Sequence, residues 1–121
     1  KLDASAAPKL PALRLPFCGS AALSEATAQQ FYERYGVRIK QGYGLAELSV
    51  ICLNMHDQEP LDYRSVGRPL KGVECQLEDE LLVRSRALFS GYLANPSATV
   101  DKLRDGWLAT GDVVSVDKWA S

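Results

Sequence analysis

The chain has 121 residues, 46% of them hydrophobic and 24% charged, with a formal net charge of -1. That length supports one domain with a single modest core and is short for two. A balance so close to neutral offers no electrostatic hook for nucleic acid or anionic lipid, and no stretch approaches the roughly 20 apolar residues that span a bilayer.

Cys18, Cys52 and Cys75 are widely spaced among apolar neighbours with no C-x-x-C pair, and read as reduced core residues of a cytoplasmic protein. His56, the single histidine, reads as a loop residue beside Asp57; a zinc site or a catalytic triad would have only that one imidazole. The N-terminus lacks the order of a signal peptide. Lys1 at the start, and an apolar alternation still running near Ser121, make both ends look like cuts through a longer sequence.

In chain order, residues 1–13 are rich in Ala, Pro and Lys and read as a loop. Leu13, Leu15 and Phe17 alternate with Arg14 and Pro16, which predicts a short strand at a sheet edge, stopped at Gly19. Ser24 is a good N-cap, Glu25 suits a positive helix end, and Ala28, Phe31, Tyr32 and Tyr35 recur at helical spacing up to Gly36. These predict a helix over residues 25–35. The β-branched Val37 and Ile39 predict a second strand, which completes a strand-helix-strand crossover of about 30 residues.

The apolar run LSVICLNM (48–55) reads either as a buried strand or as one helical turn leading into a strand. Residues 56–64 are polar loop. Val73, Cys75 and Leu77 alternate with polar residues before the acidic turn at Glu78 and Asp79, and a strand returns over residues 81–84. Asn95-Pro96-Ser97 is a turn that supplies an N-cap for a short helix through Val100 and Leu103. Asp105-Gly106 is a further turn, after which Val113, Val114 and Val116 open another strand. The fold class is therefore α/β, with a partial strand-helix-strand unit over residues 1–55 and a β-rich, hairpin or barrel-like portion over residues 56–121.

Several residue patterns carry chemistry. Gly42-Tyr43-Gly44 places an aromatic between two glycines just past a predicted strand, where the backbone can bend around a flat ligand and the ring can stack on it. Alone, that pattern is no more than a tight turn. Glu47 follows three residues later, where one carboxylate beside a phosphate-bearing ligand suits magnesium. Gly111-Asp112 sets a carboxylate at a predicted strand start, suited to two hydrogen bonds from a ribose diol. Gly19-Ser20-Ala21 uses only small side chains after a strand, so a planar ring can lie on the backbone itself. Arg68, Arg84 and Arg86 lie in alternating segments that read as a solvated face, with no assigned role.

Taken in order, GSAALS (19–24), GYGLAE (42–47), SVGRPLKGVE (65–74), LLVRSRALFSGYLANPSATVDKL (81–103) and GWLATGD (106–112) resemble successive core motifs of the adenylate-forming, AMP-binding superfamily. That superfamily includes acyl-CoA and aryl-CoA synthetases, luciferases and the adenylation domains of peptide synthetases. The resemblance implies a two-step reaction: a carboxylate attacks the α-phosphate of ATP to give an acyl-adenylate and pyrophosphate, and a thiol of CoA or a carrier protein then takes the acyl group. It implies that Gly19, Ser20 and Ala21 flank one face of the adenine and that Tyr43, between Gly42 and Gly44, packs on the other. Glu47 is then the Mg2+ carboxylate and Asp112 the ribose acceptor. Ala46 stands in the nucleotide site where the family usually has threonine, so a hydroxyl toward the α-phosphate is absent.

The family's phosphate loop and its C-terminal lysine fall outside this stretch, so the chain is incomplete relative to the family domain. No catalytic residue is expected within it, and the isolated chain is expected to be inactive, since adenylyl transfer rests on positioning and charge neutralisation. The implied partners are ATP or AMP and a small carboxylic acid with an apolar portion, with no nucleic acid. Unpaired sheet edges offer a route to homo-oligomers. The competing reading is a non-catalytic nucleotide-binding or oligomerising module of the same fold.

Overall fold

The computed structural model describes residues 10–55 and 62–116. The loops read at residues 1–9 and around His56 and Asp57 lie outside the described residues, as does everything past residue 116. The chain divides into two compact units: Lys1–Tyr43 with Leu53–Gly67, and Gly44–Cys52 with Arg68–Ser121.

In the first unit, Ser24 starts helix α1 (Glu25–Tyr35) by accepting the Thr27 N–H on its hydroxyl at 3.1 Å, with Glu25 in the first turn. Gly36 ends the helix at a left-handed φ of 68°, its N–H donating to the Tyr32 carbonyl at 2.7 Å. Ala28 is fully buried, and the Arg38 guanidinium lies 4.1 Å over the Tyr32 ring. Strand β1 (Phe17–Cys18) pairs in parallel with β2 (Lys40–Leu45), Phe17 opposite Lys40 and Cys18 opposite Gln41. The strand-helix-strand crossover is therefore present.

Two details of that crossover differ from the sequence reading. The first strand begins at Phe17 rather than Leu13, because Pro16 has no N–H to give a ladder; its carbonyl takes the Lys40 N–H at 2.9 Å. The second strand begins at Lys40, after Val37 and Ile39, and continues through Gly42, Tyr43 and Gly44. The glycine-flanked tyrosine thus lies in a strand, not in a loop beyond one, since β2 runs on past its pairing with β1 to lie beside β3 (Ser49–Asn54).

In the second unit, Leu48 donates its N–H to the Leu45 carbonyl at 3.1 Å and closes a turn, after which β3 (Ser49–Asn54) follows. This resolves the apolar run as a turn leading into a strand. Beside β3 lies β4 (Arg68–Pro69), with the Leu70 N–H that follows it donating to the Ile51 carbonyl at 2.8 Å. The second sheet has the order β5-β6-β8-β7, from β5 (Val73–Leu77), β6 (Leu81–Ser85), β7 (Leu103–Arg104) and β8 (Trp107–Ala109). All of its pairings are antiparallel, which is the predicted β-rich half.

Asn95 caps helix α2 (Pro96–Lys102), its side chain accepting the Ala98 N–H at 3.1 Å, and Pro96 occupies the first turn where no N–H is needed. Asp105 and Gly106, at φ of 50° and 81°, form the two-residue turn that the right-handed twist of the β7/β8 hairpin favours. Leu48, Ile51, Val83 and Leu108 are the large fully buried side chains, and Val83 faces Leu108 across the β6/β8 pairing.

The strand expected at Val113, Val114 and Val116 does not form. Past β8 the chain keeps two backbone ties to Leu81 at the start of β6, Thr110 N–H to the Leu81 carbonyl at 3.1 Å and Leu81 N–H to the Asp112 carbonyl at 2.8 Å, and residues 113–116 are exposed with no strand pairing among the described residues.

Candidate functional site

In the first unit the crossover brings two of the predicted segments together. A Cβ placed on Gly19 would sit 3.7 Å from the Gly42 carbonyl oxygen, so the turn after β1 runs directly beside β2. Ser20 holds a left-handed φ of 68°, a conformation that residues with side chains rarely adopt and that recurs where a backbone is shaped for a ligand. Ser20 and Ala21 are exposed, while Gly42 and Tyr43 are half-buried. A strip of backbone lined by small side chains therefore borders the strand that carries Tyr43.

In the second unit Gly44 lies near the end of β2, and a Cβ there would strike the Ser49 carbonyl. The turn that follows exposes Ala46 and half-buries Glu47. Glu47 is held twice by one segment. Its backbone carbonyl accepts the Phe89 N–H at 2.8 Å, and its Oε1 accepts the Tyr92 hydroxyl at 2.5 Å. The Tyr92 hydroxyl foremost, then Glu47's own backbone hydrogen bond, outweigh a modest loss of hydration, and with Lys102 they hold the carboxyl below its usual range. The same bond raises the Tyr92 hydroxyl above its ordinary value.

Lys102, at the end of α2, also reaches the last predicted site. Its Nζ lies 3.4 Å from where a Gly111 Cβ would be, next to Asp112. The Thr110–Asp112 backbone is tightly tied. Thr110 donates both its N–H and its hydroxyl to the Leu81 carbonyl at 3.1 and 2.8 Å, and Asp112 donates its N–H to Thr110 Oγ1 at 3.1 Å. Gly111 N–H donates to the Glu80 carboxylate. Asp112 is half-buried just past β8, not at a strand start as expected.

Sequence reasoning assigned no role to Tyr92 or Lys102. Both sit inside the quoted stretch at residues 81–103, and the only local signal was a glycine, Gly91, immediately before the tyrosine. Arg84, left without a role, pairs with Glu74 at 2.6 Å and lies 4.4 Å over the Trp107 ring.

The donor set suits a hard divalent cation of a particular kind. No cluster of three or more His, Cys, Asp or Glu side chains exists among the described residues. A single ionised carboxylate oxygen at Glu47 is what Mg2+ commonly takes when substrate phosphates and water complete its shell.

Residues 1–93 match the AMP-binding enzyme family. The chain is 41% identical to a long-chain-fatty-acid–CoA ligase, FadD15, of Mycobacterium bovis over 73% of its own length and 15% of that protein's. It is 36% identical to the fatty acid–[acyl-carrier-protein] ligase MmaC of Mycobacterium marinum, covering 91% of the chain and 25% of the relative. Among solved structures, the anthranilate CoA ligase AuaEII in complex with anthranoyl-AMP superposes with a TM-score of 0.84 at 29% identity, over 93% of the chain and 24% of that structure. The chain thus spans between 15% and 25% of the length of these proteins. No helix among the described residues is long and apolar enough to cross a membrane. With a family match over three quarters of its length and a fold shared with these ligases, the chain belongs to the AMP-binding enzyme family.

Proposed function

We propose that the chain is the adenine-, ribose- and Mg2+-contacting part of an ATP-dependent acyl-acid ligase of the cytoplasm, which activates a carboxylic acid as its adenylate and passes the acyl group to a thiol of CoA or a carrier protein. The observation that carries this reading is the Glu47 carboxylate, held ionised by Tyr92 in a chain of the AMP-binding family. Relatives named as ligases of fatty acids to CoA and to acyl carrier protein support a carboxylic acid with an apolar portion.

In this reading Gly19, Ser20 and Ala21 give the adenine a flat backbone wall, and Tyr43 stacks on its other face between Gly42 and Gly44. Asp112, on a backbone tied to Leu81 and Thr110, accepts the ribose hydroxyls. Glu47 would hold Mg2+, which would supply positive charge against the phosphates. Ala46 contributes only backbone to the nucleotide. The residues of this chain orient the nucleotide and balance its charge, while the acid's oxygen attacks the α-phosphate and pyrophosphate departs.

Calorimetric titration with ATP, AMP and an acyl-adenylate analogue tests the reading. Heat with each ligand supports it, and none at millimolar ligand removes it. A second reading, a non-catalytic nucleotide-binding module that self-associates through its sheet edges, is favoured by Ala46 alone. Pyrophosphate release by the full-length protein with a panel of carboxylic acids separates the two, since only the ligase turns over.

A further inference from the structure

We infer that Tyr92 is a positioning residue for the Glu47 carboxylate, its hydroxyl holding Oε1 so that Oε2 is presented to a divalent cation carried by nucleotide phosphates. The inference rests on the nucleotide reading above and extends it to a residue outside the predicted site.

Glu47 and Tyr92 are 45 residues apart, and the segment at residues 89–92 grips Glu47 at both backbone and side chain. That segment is itself braced. The Phe89 and Tyr92 rings meet edge to face at 4.8 Å, a favoured aromatic geometry. Tyr92 donates its N–H to Thr99 Oγ1 at 2.9 Å, and the Thr99 hydroxyl donates to the Asn95 carbonyl at 3.0 Å. Gly91, at a φ of 147°, passes so close to Thr99 that a Cβ would press on its methyl at 2.8 Å. The first turn of α2 therefore sets the height of Tyr92, and Tyr92 sets the carboxylate.

A free glutamate side chain has several rotamers, and a cation that binds it must first restrict them. A hydroxyl already bonded to one oxygen removes that freedom before the cation arrives and leaves the second oxygen available.

The test uses the full-length protein with Mg2+ titrated at fixed ATP, AMP titrated without metal, and thermal midpoints, for wild type, Tyr92→Phe, Glu47→Gln and the double variant. Tyr92→Phe keeps the ring against Phe89 and removes only the hydroxyl. The expected result is a Mg2+ requirement for ATP raised about tenfold or more, the range for a lost partner of a metal ligand, with AMP affinity and melting midpoint near wild type. In the Glu47→Gln background the tyrosine change adds nothing further, because it acts through that carboxylate. A Mg2+ requirement equal to wild type, an equal weakening of AMP and ATP, or full additivity in the double variant would each overturn the inference. A wild-type protein that binds neither nucleotide removes the nucleotide reading itself, and the inference with it.

Discussion

Gly44 lies so close to the Ser49 carbonyl that the turn between β2 and β3 has no room for a side chain there. The contact is with backbone, which cannot rotate aside. Gly44→Ala should therefore cost about 2 kcal/mol or more, measured by urea unfolding. Ala46→Ser, on the exposed side of the same turn, should lie within about 0.5 kcal/mol of wild type. A mild effect at Gly44 would mean that the turn relaxes easily.

Replacing Glu47 by glutamine keeps its volume and removes its charge. ATP binding should then lose most of its dependence on Mg2+, with an apparent metal affinity about tenfold weaker or worse, while metal-free AMP binding is retained. Equal loss for both nucleotides would show that the residue supports the fold of its turn and not a cation.

Leu108 is 1% exposed and faces Val83, while Leu93 is 98% exposed. Leu108→Ala should destabilise the protein by about 2–5 kcal/mol through lost burial and the cavity left behind. Leu93→Ala should stay within about 0.5 kcal/mol, as for other solvent-facing positions. Denaturant midpoints read both.

Burial pushes the Cys52 thiol up to about 11, with a smaller contribution from Cys75. The folded protein thus binds the thiol proton more tightly than the unfolded chain, where a cysteine titrates near about 8.5. The resulting stability is fully present below that value and is lost as pH rises from there through 11. Cys52→Ala should flatten the alkaline decline of the urea midpoint, and an unchanged decline would contradict the assignment. At pH 8 an alkylating reagent should modify the exposed Cys75 ahead of the buried Cys52.

Local punctuation was legible in the sequence wherever one side chain or one backbone angle decides it. Ser24 and Gly36 bound α1, Asn95 and Pro96 start α2, and Asp105-Gly106 turns the β7/β8 hairpin. The family was legible as well, in five spaced motifs taken in chain order.

Pairing and convergence lay beyond the sequence. Gly42, Tyr43 and Gly44 are strand because β2 runs on past its two residues paired with β1 to lie beside β3, Gly44 against Ser49, and Val113, Val114 and Val116 are not strand because nothing in the described residues pairs with them, although their β-branched character favours one. Glu47 could be singled out from its spacing to Gly44, but no spacing indicates that Tyr92 would reach it across 45 residues. Caps and turns are short-range and were determined by the sequence alone. The register of strands and the meeting of a hydroxyl with a carboxylate depend on which backbones come together, and only the tertiary structure decided those.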